Sequence, residues 1–376
     1  MSREDLVRAL ERAWAGGATF AVLQRALTEA TGLAAYANEH FVLMTSGSTG
    51  KPRQVVLSKA RAEALARTLT TAQSGDAVES VVLALPLHHA FALVNQGLWA
   101  RVERRSLFVT EGFGQPDSLK RALAEAPQSM LCLVGSQVPL LERLFASDSF
   151  PRVARLHFAG GPFPAASLVA LRRFFPRALI TNNYGCTEAG PRLTVQSVED
   201  AGDVDNVGRP LPGVELRADD AGALRFRSPY RCVALVDDGA LRAVPDDEWL
   251  PTGDVGEMET DGTLRLTGRS HEVWKRHGEK VSLAEITAAV ARVFPGQAAC
   301  LREIDAAGEP GYVLVVAPAP EPSELSAILA LFRERPRATW PLRIEATASI
   351  PLLDHGKVDG AALLACGRRE VFRQRI

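Results

Sequence analysis

A chain of 376 residues, 47% of them hydrophobic, is long enough to bury a substantial core and to divide into two or three domains. Its formal net charge of -1 argues against a general nucleic-acid binder, which would be basic, and no run approaches the ~18 apolar residues of a membrane span. Five cysteines without close paired spacing fit neither a disulfide framework nor a zinc site and read as reduced, buried thiols. The N-terminus carries acidic residues and no apolar signal core, so the chain is expected in the cytoplasm.

In chain order, residues 3–15 and 19–31 have the spacing of two amphipathic helices. Phe41-Val42-Leu43-Met44 is a short apolar run of the kind that forms a buried strand. It leads into Thr45-Ser46-Gly47-Ser48-Thr49-Gly50-Lys51-Pro52, where glycines allow close backbone approach, hydroxyls and N–H groups donate, and Lys51 adds positive charge: a loop suited to phosphate. The P-loop of nucleotide hydrolases is excluded, because Thr45 stands where its first Gly belongs and Pro52 replaces the magnesium-binding hydroxyl. Helical spacing at residues 58–72, 117–126 and 165–175 alternates with short apolar runs at 81–85, 130–134 and 178–180, which predicts an α/β protein.

Asn182-Asn183-Tyr184-Gly185-Cys186-Thr187-Glu188 then sets an aromatic face, a tight turn, a hydroxyl and a carboxylate close together. That set suits a nucleotide, with Glu188 available to a hard cation such as Mg²⁺. Residues 205–268 are richer in Gly, Pro and Asp, with hairpin-like turns at Asp219-Asp220-Ala221-Gly222, Asp237-Asp238-Gly239 and Asp261-Gly262, and suggest a β-rich subdomain. Within this stretch Trp249-Leu250-Pro251-Thr252-Gly253-Asp254 places an Asp fit for a ribose diol, followed by Gly268-Arg269. Residues 317–322 read as a local linker, and Asp354-His355-Gly356-Lys357-Val358-Asp359 as a turn presenting one lysine. Only six of the 43 basic residues are lysines, and four of them, Lys51, Lys275, Lys280 and Lys357, lie in or beside these segments. In an arginine-biased chain such a lysine points to a place needing a compact ammonium, whereas Lys59 and Lys120 read as surface residues and Lys280 reads either way.

Taken in this order, the segments resemble the adenylate-forming superfamily of acyl-CoA synthetases, nonribosomal adenylation domains and luciferases, from about Phe41 to Lys357. Ala159-Gly160-Gly161-Pro162-Phe163-Pro164 and Gly222-Ala223-Leu224-Arg225-Phe226-Arg227-Ser228-Pro229 add to the likeness. The resemblance implies a large N-terminal α/β domain with a β-rich subdomain, residues 1–269, followed by a small, mobile α+β C-terminal domain, residues 270–376, hinged near Ser270-His271. Only 44 residues precede the phosphate loop, so most of the family's first subdomain is expected to be missing. The cleft would then stay open, be closed by a partner or a homodimer mate, or belong to a minimal form.

The implied chemistry has two steps. A carboxylate attacks the α-phosphate of MgATP to give an acyl-adenylate and pyrophosphate, and a thiol then displaces AMP to give a thioester. By resemblance, Lys357 serves adenylation; Thr45, Ser46, Gly47, Ser48, Thr49, Gly50 and Lys51 hold the β- and γ-phosphates; Thr187 and Glu188 serve phosphate and Mg²⁺. Asn182, Asn183, Tyr184 and Gly185 belong to the nucleotide site, Asp254 and Arg269 to the ribose, and Gly160, Gly161 and Pro162 to the floor between acyl group and adenine. Lys275 and Gly278 would line the thiol tunnel of the second step, after rotation of the C-terminal domain.

His89, with Phe91 as a wall, resembles the acyl-CoA synthetase form of its segment, and His88 either touches substrate or packs beside it. No Asp stands near to pair with an amino acid's ammonium, so the acid is expected to be aryl or aliphatic. Arg53 replaces a common Lys, and His271 stands where the family usually has Asp or Lys; it either makes domain rotation pH-sensitive or merely tolerates the torsion change. The acceptor is coenzyme A or the phosphopantetheine of an acyl carrier protein. Arginine clusters at 333, 335 and 337 and at 368, 369, 373 and 375 would suit an acidic carrier or be ordinary solvated charge. The shortened N-terminus also leaves a second reading, a catalytically weakened homologue that binds nucleotide or acyl ligand as a scaffold or regulator.

Overall fold

The computed structural model describes residues 2–22, 33–45, 53–161, 163–199, 205–220, 222–270, 272–276, 279–305, 308–352 and 358–374, and of Lys275 and Lys280 the backbone alone. The chain divides into two compact units. One comprises Met1–Asp219, Leu224–Thr252 and Glu257–Arg265; the other comprises Asp220–Ala223, Gly253–Gly256 and Leu266–Ile376.

The first unit opens with helix α1 (Arg3–Ala15). Ser2 caps it by accepting from the Asp5 N–H at 3.1 Å, and Glu4 and Asp5 in the first turn and Arg12 in the last complement the helix dipole. Its second helix, expected at 19–31, does not begin there: Phe20–Ala21 is a strand, β1, paired in parallel with β2 (His40–Thr45). The aromatic side chains decide this, since Phe20 stacks on Phe41 with centroids 5.9 Å apart and Trp14 lies 5.8 and 5.4 Å from the two rings. Residues 23–32 fall outside the described residues.

β2 pairs antiparallel with β3 (Arg53–Ser58) in a register that sets Thr45 opposite Arg53. Strands Ala234–Asp237 and Ala240–Ala243 complete this five-stranded sheet. Their two-residue turn has Asp238 at φ 47° and Gly239 at φ 80°, as a primed hairpin turn requires.

Helix α2 (Lys59–Ala72) follows. Lys59 corrects its reading as a surface residue: it is 2% exposed, and its ammonium donates to the carbonyls of Ala13 (3.0 Å), Trp14 (3.3 Å) and Ala18 (3.0 Å) beside the Trp14 and Phe20 rings. Lys120, half-exposed and 2.8 Å from Asp148, is a surface pair.

The central sheet has seven strands: β4 (Ser80–Leu83), β5 (Ser106–Val109), β6 (Ser129–Leu133), β7 (Val153–Phe158), β8 (Leu179–Tyr184), β9 (Thr194–Ser197) and β10 (Arg209–Pro210), in the order β10-β9-β8-β7-β6-β4-β5. β5, β4, β6, β7 and β8 run parallel, and β4 and β6 are buried throughout, as expected of a parallel sheet covered on both faces. Helices Pro116–Glu125, Val138–Leu144 and Leu168–Phe174 pack on one face through Leu119, Leu123, Leu141, Leu171 and Phe174. Cys132, His157 and Thr181 are in register on adjacent strands, and side-chain alternation turns them to the other face.

Within residues 317–322, positions 318–321 form a short irregular connection, as expected of a local linker. Ala317 ends a strand, paired with Gln297, and the next helix begins at Pro322. In the second unit this strand, Pro310–Ala317, lies in a four-stranded sheet with Gln297–Ile304, Arg343–Ala346 and Arg369–Arg373. Helices Leu283–Ala291 and Pro322–Arg333 and the hairpin Val273–Arg276/Glu279–Ser282 complete the unit, around a core of Val281, Ile286, Leu314, Val316, Ile328 and Phe332. The fold is mixed α/β, with a large α/β part and a small α+β part. Among the described residues no helix is long and apolar enough to cross a membrane.

Candidate active site

The site is built at the end of β8. Asn182, Asn183 and Tyr184 are buried there, and Gly185 follows because nothing larger fits: a Cβ at that position would stand 1.9 Å from the Pro191 carbonyl oxygen. The chain then forms a short 3-10 turn, Thr187–Ala189, which ends at Gly190 with φ 89°. The turn packs against β2 and β3, and the Cys232 N–H donates to the Glu188 carbonyl at 2.8 Å. Thr187 and Glu188 are thereby set beside the two strands that bracket residues 46–52. Ser46, Gly47, Ser48, Thr49, Gly50 and Lys51 themselves lie outside the described residues.

The partly buried Glu188 carboxylate has Arg53 Nη1 at 3.8 Å, and Arg53 Nε donates to Asp237 at 2.5 Å. Burial pushes the Glu188 carboxyl above the ordinary carboxylate range, while Arg53 pulls it back. Among the described residues no group of three His, Cys, Asp or Glu side chains could hold a metal ion. A single carboxylate such as Glu188 fits Mg²⁺, which takes one or two carboxylates and completes its shell with phosphate oxygens and water.

The ends of β7 and β8 lie side by side, with Phe158 opposite Asn182. Just beyond β7, Gly160 has φ 82° and a side chain built there meets Val134 at 3.7 Å, while one built at Gly161 meets no described atom within 4 Å; Pro162 is outside the described residues. The His88 and His89 rings are 4.1 Å apart and partly exposed, and Phe91 is half-buried. His89 begins the helical turn Ala90–Ala92, which runs into a π-helical turn, Leu93–Leu98, a rare geometry concentrated at functional sites. Inside it Asn95 is 1% exposed, and neither amide atom has a partner among the described residues. Gln96 donates to the Val82 carbonyl at 2.8 Å, and its own oxygen accepts nothing.

Sequence reasoning missed Arg192, which is 1% exposed. Its Nη2 donates to Asn183 Oδ1 at 2.6 Å, and Gln73, with its amide oxygen turned to the guanidinium, accepts from Nη1 at 2.6 Å and Nη2 at 2.8 Å. Asn183 Nδ2 donates in turn to Thr181 Oγ1 at 2.8 Å, which also bonds His157 Nδ1 at 2.7 Å. Burial pushes Arg192 down to about 9 and, aided by Arg192 and Arg155, His157 down to about 3. The one sequence signal was an Arg between Pro191 and Leu193 directly after the Tyr184–Glu188 motif, easily overlooked in an arginine-rich chain.

In the second unit Asp254 is buried, with Arg269 Nη1 at 3.0 Å. Lys275 and Lys280 are register partners in the hairpin, and Arg276 is clamped to Asp305 at 2.7 Å. His271, Gly278 and Lys357 lie outside the described residues.

A parallel-sheet α/β unit whose strand end leads through Tyr184 into the turn Thr187–Ala189, packed against the β2–β3 pair, has the architecture of adenylate-forming enzymes. The chain belongs to the AMP-binding enzyme family, whose model matches residues 26–227. It is similar to novobiocin biosynthesis protein H of Streptomyces niveus, with 28% identity over 350 residues covering 86% of this chain and 56% of that protein. A long-chain-fatty-acid–CoA ligase of Escherichia coli O157:H7 is 27% identical over 303 residues, 74% of this chain and 52% of the ligase. The chain thus spans about half the length of these curated relatives. Among solved structures, the o-succinylbenzoate CoA synthetase MenE of Bacillus subtilis with its acyl-adenylate intermediate has a TM-score of 0.72 at 19% identity, covering 88% of this chain and 69% of that one. ATP-bound MatB of Rhodopseudomonas palustris has a TM-score of 0.68 at 21% identity, covering 86% and 67%. These two likenesses bear on the fold.

Proposed function

We propose that the chain is an acid–thiol ligase that activates a non-amino carboxylic acid as its acyl-adenylate and passes the acyl group to a phosphopantetheine thiol. The observation that carries this reading is the Thr187–Ala189 turn packed against β2 and β3, which brings Glu188 beside the ends of the phosphate loop. Lys51 and the loop hydroxyls bind the β- and γ-phosphates, Thr187 donates to phosphate, and Glu188 holds the cation. Mg²⁺ supplies charge neutralisation on the phosphate oxygens when bound. Lys357 places its ammonium at the α-phosphate and attacking carboxylate, where charge develops, and Asp254 and Arg269 orient the ribose.

Residues 270–376 act as the alternating domain, with Lys275 and Gly278 serving the thiol step. A carrier-protein acceptor would make the second step fall steeply with salt, whereas coenzyme A would not. The test is pyrophosphate release from MgATP over a panel of aryl and aliphatic acids, with hydroxylamine trapping the acyl-adenylate. Acid-dependent release that Lys357→Ala lowers by about 10²- to 10³-fold supports the reading. Silence across the panel sinks it.

A further inference from the structure

We propose that Arg192 is the receptor for a second carboxylate on the acyl substrate, so that the acid activated is a dicarboxylic one. The inference rests on the ligase reading above and names its substrate class.

A guanidinium removed from water normally brings its own counter-ion, because the charged form is otherwise strongly disfavoured. The chain obeys this elsewhere. Arg231, 1% exposed, has Asp246 at 3.4 Å, and the buried Arg276 has Asp305 at 2.7 Å. Arg192 is as deeply buried, and among the described residues it meets only neutral oxygens: the amides of Asn183 and Gln73 and, at 3.5 Å, the Thr194 carbonyl. Its Nε has no acceptor. The Nε of Arg231 and of Arg276 likewise lacks an acceptor, so what sets Arg192 apart among the described residues is charge: of the three it alone has no carboxylate partner. Such a group costs stability in the empty protein and gains most from an anion delivered by a ligand.

Its position ties that anion to the acyl site. Pro191 and Arg192 pack directly on Gly185, where an added Cβ would stand 2.9 Å from the Arg192 Cα. The Leu193 N–H donates to the Tyr184 carbonyl at 2.9 Å. The guanidinium thus hangs from the stretch braced against the segment that presents Tyr184, Thr187 and Glu188. Its contact Asn183 follows Asn182, which is paired with the end of β7, beyond which a side chain built at Gly161 meets no described atom within 4 Å. A carboxylate arriving from that side replaces Asn183 Oδ1 on Nη2 and reaches the vacant Nε, a two-point grip that a guanidinium fork offers and an ammonium does not. The π-helical turn with the orphaned Asn95 packs against α2, which leads to Gln73, and against β6, which carries Cys132. A second under-satisfied polar side chain therefore borders the same elements. An acid ending in a methyl group leaves all these groups as they are, and one ending in an ammonium is repelled.

The experiment compares hydroxylamine-trapped pyrophosphate release for length-matched pairs, hexanoate with adipate and benzoate with each benzenedicarboxylate, in wild type, Arg192→Met and Arg192→Lys. Expected are a wild-type preference for the dicarboxylic member of about 100-fold in kcat/KM, its loss in Arg192→Met with KM for ATP unchanged, and partial retention in Arg192→Lys. If Arg192→Met does not fold, the wild-type preference and the Lys variant decide. Equal or better use of monocarboxylic acids by the wild type, or a preference that survives Arg192→Met, overturns the inference and leaves the ligase reading intact. No release with any acid would defeat the ligase reading; calorimetric titration of adipate and phthalate with AMP present then tests Arg192 separately, and absence of Arg192-dependent binding overturns it.

Discussion

Arg53 Nη1 stands 3.8 Å from Glu188 Oε1 while its Nε grips Asp237, so the residue directly after Pro52 is paired with the carboxylate proposed to meet the cation. Two segments 135 positions apart in sequence thereby share one electrostatic environment.

This pairing predicts an acid limb. Burial raises the Glu188 carboxyl above its ordinary value and Arg53 lowers it, so the charged form needed at the site is lost as pH falls through that raised value. Arg53→Met removes the lowering influence. kcat/KM for MgATP, measured against pH, should then fall off at higher pH than in wild type, with stability changed by no more than about 1 kcal/mol because Arg53 is substantially exposed. An unmoved limb would mean that Glu188 does not govern it.

Glu188→Gln keeps the side chain's shape and removes its charge. If Glu188 holds Mg²⁺ as proposed, the substitution should lower kcat/KM for adenylation on the order of 10²-fold, with partial recovery at raised Mg²⁺. Unchanged Mg²⁺ dependence would place the cation elsewhere.

Asp254 is tested by a cycle with substrate rather than protein. If it receives a ribose hydroxyl, Asp254→Asn should raise KM for ATP roughly 10-fold, and the variant should no longer distinguish ATP from its 2′- and 3′-deoxy forms as wild type does.

His157 gives the fold its own pH dependence. Its folded-state value is pushed down to about 3 from 6.5, so between those limits the unfolded chain takes up a proton that the native one refuses. Stability is therefore fully present above pH 6.5 and declines as pH falls, by at most about 1.4 kcal/mol per unit. Urea unfolding at pH 7 and 5.5 should show a loss in wild type that His157→Asn reduces by about 1 kcal/mol. Equal losses in both proteins would assign the acid sensitivity to carboxylates.

The loop-to-strand grammar of the site was legible in the sequence because it depends on local chemistry. Gly185 reads as part of a tight turn, Asp237-Asp238-Gly239 as a hairpin-like turn, and the apolar runs at β4, β6 and β8 as strands of an α/β protein. What escaped was set by distant neighbours. Phe20 became a strand through Phe41, which lies 21 positions on, and Arg192 was buried by Gln73 and Asn183, whose reach no spacing rule reports. Lys59 was misread for the same reason, since the carbonyls around it come from a segment over 40 positions earlier.

That lysine has a further consequence. Three carbonyl oxygens around a compact ammonium, with aromatic rings beside them, act as a crown ether does for a cation and select by size and shape. A guanidinium has the same charge but a broad plane and a different set of donor directions, so Lys59→Arg, an apparently mild change in a chain that favours arginine, should unseat α1 from the body of the protein. The first helix is held less by its own sequence than by the socket its end provides for a residue of another helix.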